Sequence, residues 1–487
     1  MIGYVMKSEN IFFQFLSSIQ EIIRSIDIAG GVPYFVGGCV RDLVLGCELK
    51  DFDIEVHRLS LEELQAVLEQ FGHVRLVGKK FGVLRIDGFD VDWSLPRRDS
   101  KGRKPVVHID PTMTIADACR RRDVTMNAMA LDLRKAFMLS QQASDFEQQL
   151  LSLIIDPYGG LNDIKNKRMC AVDVDLFVED PLRFFRVMQF VGRFEMEPDQ
   201  ELNNICTTME LHDTVLDVPL ALERICEEFK KLLLKSSRPS LGFEWLNKIG
   251  RLKEVLPEFA ALIGVQQRLE YHPEGDAFVH TMQAVDLAAQ YSDYHDGMWG
   301  DAAREKLTIL LGIVCHDLGK AVTTAPDLTA HGHAEAGVPI AKKLLKRMTN
   351  DHEIIAMVCD LVQYHMLPFA FLREDAGARS YRRLALKLKH PLTMRQLGLV
   401  ALFDSQGRCG KGFDPRAQAQ EHFEQFMQRA EKASVLHGPE DPVLLGRHLF
   451  GLVPPGPRMG ELLKRAYEIQ IEEGIKDVEL LKQRVLE

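Results

Sequence analysis

The sequence predicts an α+β fold, with a small mixed sheet and its helices over residues 1–155 and an all-helical remainder. Period-two alternation and short apolar runs, such as DFDIEV at 51–56, cluster in the N-terminal third. Beyond about residue 160, apolar residues recur at helical spacing to the end of the chain. Turn-rich breaks at QQRLEYHPEG (266–275), near 435–442 around HGPEDP, and at PPGP (454–457) punctuate the helical part. These signals predict a division into 1–155, 156–265, 266–435 and 436–487.

Composition narrows the functional classes. A chain of 487 residues is long enough for roughly three domains at about 150 residues each. With 46% hydrophobic and 27% charged residues it is neither disordered nor collagen-like. Seventy acidic against 60 basic residues exclude a uniformly basic nucleic-acid coat, but not an enzyme with local basic patches. No run of about 18 apolar residues is read, so no membrane span is expected. The opening MIGYVMKSENIFFQFLSSIQ interrupts its apolar stretch with charge and lacks a small-residue cleavage site, so no signal peptide is predicted. Nine cysteines without a CxxC pair suit reduced thiols in the cytoplasm.

In chain order, 10–27 reads as an amphipathic helix ended by Gly30 and Gly31. A strand at 34–36, a Gly-Gly turn, a helix at 40–45 and a strand at 51–56 follow. Next come a helix at 60–71, strands at 73–78, 82–87 and 89–95, a loop at 97–104, a helix near 114–130 and strands near 130–155. Helices are expected at 180–194, 199–210, 218–235, 240–249, 277–291, 303–315, 335–348, 352–365, 380–388, 393–404, 415–433 and 459–473.

The segment VGGCVRDLVLGCELKDFDIEV (36–56) carries the first chemistry. Gly37 and Gly38 at a strand-to-helix turn let backbone N–H groups approach an anion, and Arg41, one turn on, is placed to reach a triphosphate. Asp51 and Asp53 stand two apart on a strand and so share a face. Paired carboxylates on a rigid strand suit a divalent-metal clamp for phosphoryl transfer. Asp92 in DVDWSLP is the best third carboxylate, with Asp90 on the same face. A Gly-Gly turn alone, or a DxD alone, would more often be a loop or a solvated acidic pair; their order and proximity favour a site.

GGCVRD…DFD resembles the signature of the DNA-polymerase-β-like nucleotidyltransferases. More narrowly it resembles the bacterial class II tRNA nucleotidyltransferase (CCA-adding) and poly(A) polymerase family. RRDVTMNA (121–128), DPYGGLNDI (156–164), VEDPLRFFRVMQFVGRF (178–194) and ERICEEFKKLL (223–233) match further family motifs in order. The resemblance implies a polymerase-β-like head, a helical neck carrying the nucleotide-base template, Mg²⁺ on Asp51 and Asp53, and Asp92 as a further ligand or base. It implies CTP and ATP as substrates, tRNA as acceptor and no membrane partner. The tRNA 3′-hydroxyl then attacks the α-phosphate and pyrophosphate leaves.

Each motif also has a physical reading. Arg122 matches the position that contacts the nucleotide, and Asp123 binds ribose or orients Arg122. The Gly-Gly bend of DPYGGLNDI reads as a junction that permits hinge motion. Asp180, Arg183 and Arg186 fall three apart on one face of a helix begun by Pro181. A carboxylate accepts hydrogen bonds and a guanidinium donates them. Cytosine and adenine both present an amino donor beside a ring-nitrogen acceptor, whereas uracil and guanine present a carbonyl beside an N–H. An Asp–Arg pair therefore accepts C and A and rejects U and G; the family uses such a pair, and Asp180 and Arg183 match it. In isolation the same residues would read as an N-cap and a surface ion pair. Residues 75–105 carry nine Lys/Arg against four Asp, which suits RNA phosphates.

A second constellation lies between 272 and 404. His280 in HPEGDAFVHT, His316 and Asp317 in CHDLGK, and Asp404 in LFDSQGR resemble an HD metal-dependent phosphohydrolase domain. His333 and His365 are further candidates for substrate or a second metal. Imidazoles with carboxylates suit a divalent transition metal or Mg²⁺, with an open position to activate water. A His-Asp pair inside an apolar helix is an unusual packing choice, because an unpaired buried charge is costly. The resemblance implies possible phosphatase or cyclic phosphodiesterase activity. The tail at 443–473 resembles that of longer HD-containing homologues and reads as packing or RNA contact. A poly(A)-, CC- or A-adding enzyme shares the head motifs and stays open, as does an HD phosphohydrolase with an RNA-binding head.

Overall fold

The computed structural model describes residues 11–49, 52–77, 82–99, 107–140, 146–213, 218–295, 301–410, 412 and 414–487. The chain divides into two compact units, Met1–Val187 with Glu195–Ala221, and Met188–Phe194 with Leu222–Glu487.

The first unit is built on strands β1 (Val32–Val36), β2 (Phe52–His57), β3 (Val74–Val77), β4 (Val83–Ile86), β5 (Val91–Ser94), β6 (Arg97–Asp99), β7 (Val107–Ile109), β8 (Ala130–Asp132) and β9 (Ile154–Ile155). Seven form one mixed sheet in the order β3-β4-β5-β2-β1-β8-β9. β2 and β5 run parallel, while β1 is antiparallel to both β2 and β8. Alternation along β2 sends Ile54 and Val56 into the core, leaving Asp53 and Glu55 on the opposite face. Ile54 is in register with Trp93, so Asp53 pairs with Asp92 and Glu55 with Ser94. The core face is covered by a helix over 11–18 and helix Gln20–Ile28, with Phe15 stacked on Phe52 at 3.8 Å. Those aromatics and the fully buried Trp93 anchor the strand pair from behind.

Several predicted elements change. Residues 97–99 are not loop but β6, paired with β7; the strand was hidden because the sequence RRD offers no apolar residue to alternate. The helix near 114–130 shortens to Ile115–Arg120, followed by a 3₁₀ turn at Thr125–Asn127. Between β8 and β9 lie helices Leu133–Ser140 and Phe146–Ser152, where only strands were expected. Two small strand pairs, 168–169 with 197–198 and 212–213 with 218–219, interrupt the region expected to be purely helical.

In the second unit the predicted helices stand within a few residues of their expected ends. Helices Leu367–Arg373 and Val478–Leu486 were not foreseen. Helices Pro457–Glu473 and Val478–Leu486 share a small core around Leu444, Leu449 and Leu481. Contrary to expectation, His352–Arg373 has the length and apolarity to cross a membrane by composition alone. Here it is a core element: Ile354, Met357, Val358, Leu361 and Val362 are buried among neighbouring helices.

Gly319 marks the tightest approach in this unit. A Cβ there would lie 1.9 Å from the His333 carbonyl oxygen and 2.8 Å from the Gly337 nitrogen. Gly319→Ala is expected to lower stability by about 1–3 kcal/mol, read as a lower denaturation midpoint; an unchanged midpoint would contradict the packing. Burial pushes the Cys39 and Cys119 thiols up to about 12. Neither thiol should therefore react with iodoacetamide at pH 8 until the protein is denatured; labelling of the native protein at either position would contradict their burial.

Candidate functional site

On the exposed side of the sheet the pleat collects charge. A cavity of ≈ 300 Å³ is lined by Asp53, Glu55, Asp92, Ser94, Arg97, Arg121 and Arg122, with Val36, Val83, Leu95 and Ala118. Asp53 and Asp92 are in-register partners on parallel strands, so their side chains leave one face about 4.8 Å apart at the backbone. The Asp53 N–H is held by the Cys39 sulfur at 3.3 Å. Asp92 accepts a hydrogen bond from Arg85 Nε. Asp51 lies outside the described residues. Asp90 is exposed and precedes β5.

Three guanidinium groups face these acids. Arg121 donates to the Arg97 carbonyl oxygen. Burial, with Arg97, Arg122 and Arg183 nearby, brings the Arg121 pKa down to about 10. Burial and Arg122 also lower that of Arg97. Glu55 is pushed up by burial, but a hydrogen bond from His57 and the charge of Arg122 outweigh this and leave it lowered; His57 Nε2 lies 2.9 Å from Glu55 Oε1. Crowded cations of this kind favour an anion among them.

Gly37 adopts φ +72°, and a Cβ there would meet Arg122 Nη1 at 2.8 Å. Only glycine fits both the left-handed backbone and the guanidinium packed against it. Arg41 departs from expectation. It is buried, donating from Nη1 to Asn127 Oδ1 at 2.5 Å and from Nε to Asp42 Oδ1 at 2.8 Å. Its guanidinium braces the glycine turn from within and does not line the cavity, because the first helical turn carries it inward.

Asp123 is buried and accepts from Asn127 Nδ2 at 2.8 Å and from Arg186 Nε at 2.5 Å. Burial alone would raise its pKa; Arg186, Asn127 and the Val124 N–H bring it down to about 2. Asp180 accepts from the Leu182 N–H at 3.1 Å. Arg183 donates to the carbonyls of Leu176 at 2.6 Å and Arg121 at 2.7 Å. Arg183 and Arg186 thus grip the RRD segment from helix Leu182–Phe194, while Asp180 at its entry serves as the cap that the plain helix reading allowed. Glu55 was missed, although alternation from Asp51 through Asp53 points to it. Arg85 and Arg97 had no signal beyond local basicity.

The second unit assembles the other candidates. His280, His316 and Asp317 present ligand atoms within 4.8 Å of one another, as do Asp317, His333 and His365. Asp404 Oδ1 is 3.0 Å from His280 Nε2 and 3.8 Å from His316 Nε2. The Nδ1–H groups of His316, His333 and His365 donate outward to the carbonyls of Ile313, Ala330 and Val362. That fixes their Nε2 lone pairs inward. His333 and His365 consequently point Nε2 at Nε2 across 3.2 Å, and burial with nearby His316 and His333 lowers the His365 pKa to about 3. His316 Nε2 is buried 3.2 Å from Asp317 Oδ2, which also pairs with the Lys320 ammonium at 2.6 Å. Inward imine nitrogens beside buried carboxylate oxygens fit divalent cations, with Asp317 common to both groups. His272 and Glu274 were missed; Glu274 Oε1 lies 2.8 Å from His272 Nδ1 and 2.9 Å from His280 Nδ1. The cavity beside the cluster, ≈ 600 Å³, adds Tyr271, Lys320, Met366, Arg373 and Arg408.

Known proteins match over both regions of the chain. Residues 33–170 match the poly(A) polymerase head domain, and residues 277–389 match the HD domain. The multifunctional CCA protein of Ralstonia nicotianae is 35% identical over 412 residues, covering 82% of this chain and 87% of the relative. That of Pasteurella multocida is 32% identical over 391 residues, covering 77% and 84%. Among solved structures, the Bacillus stearothermophilus CCA-adding enzyme in complex with CTP is similar in fold, with a TM-score of 0.56, 18% identity and coverage of 95% and 96%. A Thermotoga maritima CCA-adding enzyme complexed with tRNA is similar at a TM-score of 0.55, 18% identity and coverage of 97% and 95%. The chain belongs to the multifunctional CCA protein family of nucleotidyltransferases.

Proposed function

We propose that the first unit adds C, C and A to the 3′ end of tRNA from CTP and ATP, without a nucleic-acid template. The observation that carries this is the in-register Asp53–Asp92 pair facing Arg97, Arg121 and Arg122 in one cavity beside the glycine turn. Hard carboxylate oxygens on adjacent strands suit Mg²⁺, and Asp53, Asp92 and, by sequence, Asp51 would hold it. When bound, the ion supplies neutralisation of triphosphate charge and a lower pKa for the attacking hydroxyl. The chain itself does the rest. Gly37 and Gly38 allow close approach to phosphate, while Arg97, Arg121 and Arg122 take up its charge. Asp180 and Arg183, with Arg186, select the base edge. Positioning and electrostatics thus supply the catalysis, with little covalent chemistry asked of any side chain.

The four-part division into head, neck, HD domain and tail follows from the same reading, as does a cytoplasmic site of action. The His280–His316–Asp317–Asp404 cluster supports a second activity, hydrolysis of a phosphoester by one or two divalent ions, with His333 and His365 completing a second position. The Nε2–Nε2 approach of His333 and His365 is the observation that favours it.

Incubation with Mg²⁺ and tRNAs ending before CCA, after C and after CC, with each NTP singly and together, separates CCA-, CC-, A- and poly(A)-adding behaviour. Ordered addition of the missing residues is expected; untemplated A-runs, or no addition, would overturn the reading. Asp53→Ala should lower addition by about 10²–10³-fold or more, measured as initial rate, and retained incorporation would remove Asp53 from the site. Arg183→Ala should admit UTP, and an unchanged product sequence would contradict its role. His316→Ala should spare addition and abolish metal-dependent phosphoester hydrolysis; joint loss of both would contradict two separate sites.

A further inference from the structure

A continuous chain of polar contacts, buried from Arg41 to Asp123, runs from the glycine turn to the helix proposed to carry the base-reading residues. Arg41 Nη1 donates to Asn127 Oδ1 at 2.5 Å, and Asn127 Nδ2 donates to Asp123 Oδ1 at 2.8 Å. Asp123 Oδ2 receives Arg186 Nε at 2.5 Å. At one end, the Arg41 guanidinium lies against Gly38, 3.2 Å from where a Cβ would stand. At the other, Arg183 from the same helix as Arg186 holds the Arg121 carbonyl. Asn127 sits in the middle, 3% exposed, in the 3₁₀ turn Thr125–Asn127.

The chemistry of the link is restrictive. Arg41 offers only donors and Asp123, ionised, offers only acceptors. The group between them must accept on one side and donate on the other, which a carboxamide does and neither a carboxylate nor an aliphatic chain does. A carboxylate at this position would face the Asp123 carboxylate in low dielectric. An alkyl side chain would strip a partner from two buried charges. With Asp42 on Arg41 at 2.8 Å, the set contains two cations, two anions and one amide, so it is both neutral and rigid.

We propose that Asn127 is a positioning residue that couples base selection to placement of the nucleotide's phosphates, holding Arg186 in fixed relation to the Gly37–Gly38 turn through Asp123 and Arg41. This rests on the transferase reading of the cavity. Asn127 touches neither phosphate nor base; it sets where the groups that do so stand, and a base that misaligns Arg186 is thereby reported to the turn.

The test uses the full-length protein, with equilibrium binding of CTP and UTP in Mg²⁺ measured beside single-nucleotide addition to tRNA. Asn127→Ala and the near-isosteric Asn127→Asp should keep native circular dichroism and lose about 10-fold or more of the wild-type preference for CTP over UTP, in binding and in kcat/KM. Asn127→Ala combined with Arg186→Ala should lose no more than the worse single variant, because both break one chain. Unchanged discrimination in Asn127→Asp, with only a slower rate or a lower melting point, would overturn the proposal, as would losses that multiply in the double variant. Wild-type protein that binds CTP selectively yet adds nothing to tRNA would remove the transferase reading and leave the coupling measurable by binding. Wild-type binding without preference would overturn the coupling itself.

Discussion

Two carboxylates on neighbouring parallel strands repel one another, and a sheet that sets Asp53 level with Asp92 must meet that repulsion with positive charge. The surrounding structure is arranged to do so. Arg85 reaches Asp92 from β4, and Arg97, Arg121 and Arg122 gather across the cavity. The arginines are crowded in turn, since burial and mutual repulsion lower the pKa of Arg97 and Arg121. Neither set of charges is comfortable alone. A cation between the acids and a polyanion among the arginines relieve both strains together, which is the composition of a metal–nucleoside triphosphate.

The second unit meets a similar demand with different donors. Its cluster is dominated by imidazoles whose outer nitrogens are tied to backbone carbonyls one helical turn back. Those bonds cost nothing extra in a helix, because the last carbonyls of a terminating helix want donors. His316 follows the end of Ala302–Cys315 and His365 the end of His352–Tyr364, so helix termination itself fixes the tautomer. Gly319 then lets helix His333–Met348 approach closely enough to bring His333 to Asp317, at 3.4 Å. Oxygen-rich and nitrogen-rich sites suit different cations, and one chain carries both.

What the sequence disclosed follows from which constraints are local. The Gly37-Gly38 turn, the DFD strand and the HisAsp pair at 316–317 are short-range patterns; the first two lie where periodicity placed them, whereas the HisAsp pair follows the helix that ends at Cys315 instead of lying inside it. Glu55 was also within reach, because the alternation that aligns Asp51 and Asp53 continues to it. Asn127 and Asp123 were not legible as a bridge: their partners Arg41 and Arg186 are 86 and 63 residues away, and only the fold brings them together. The same holds for Arg41, whose inward turn depends on a pocket made by Asn127. β6 escaped notice because a strand that lines a charged cavity has no apolar alternation to betray it.

The central claim is that the acids of the first unit hold a divalent ion under a nucleotide. Anomalous scattering from Mn²⁺, in crystals grown with a non-hydrolysable CTP analogue, reads this directly. A manganese peak between the Asp53 and Asp92 carboxylates, with the triphosphate reaching Arg97, Arg121 and Arg122, is the expected result. Manganese confined to the histidine cluster of the second unit, with the analogue bound and no ion at Asp53, would contradict it.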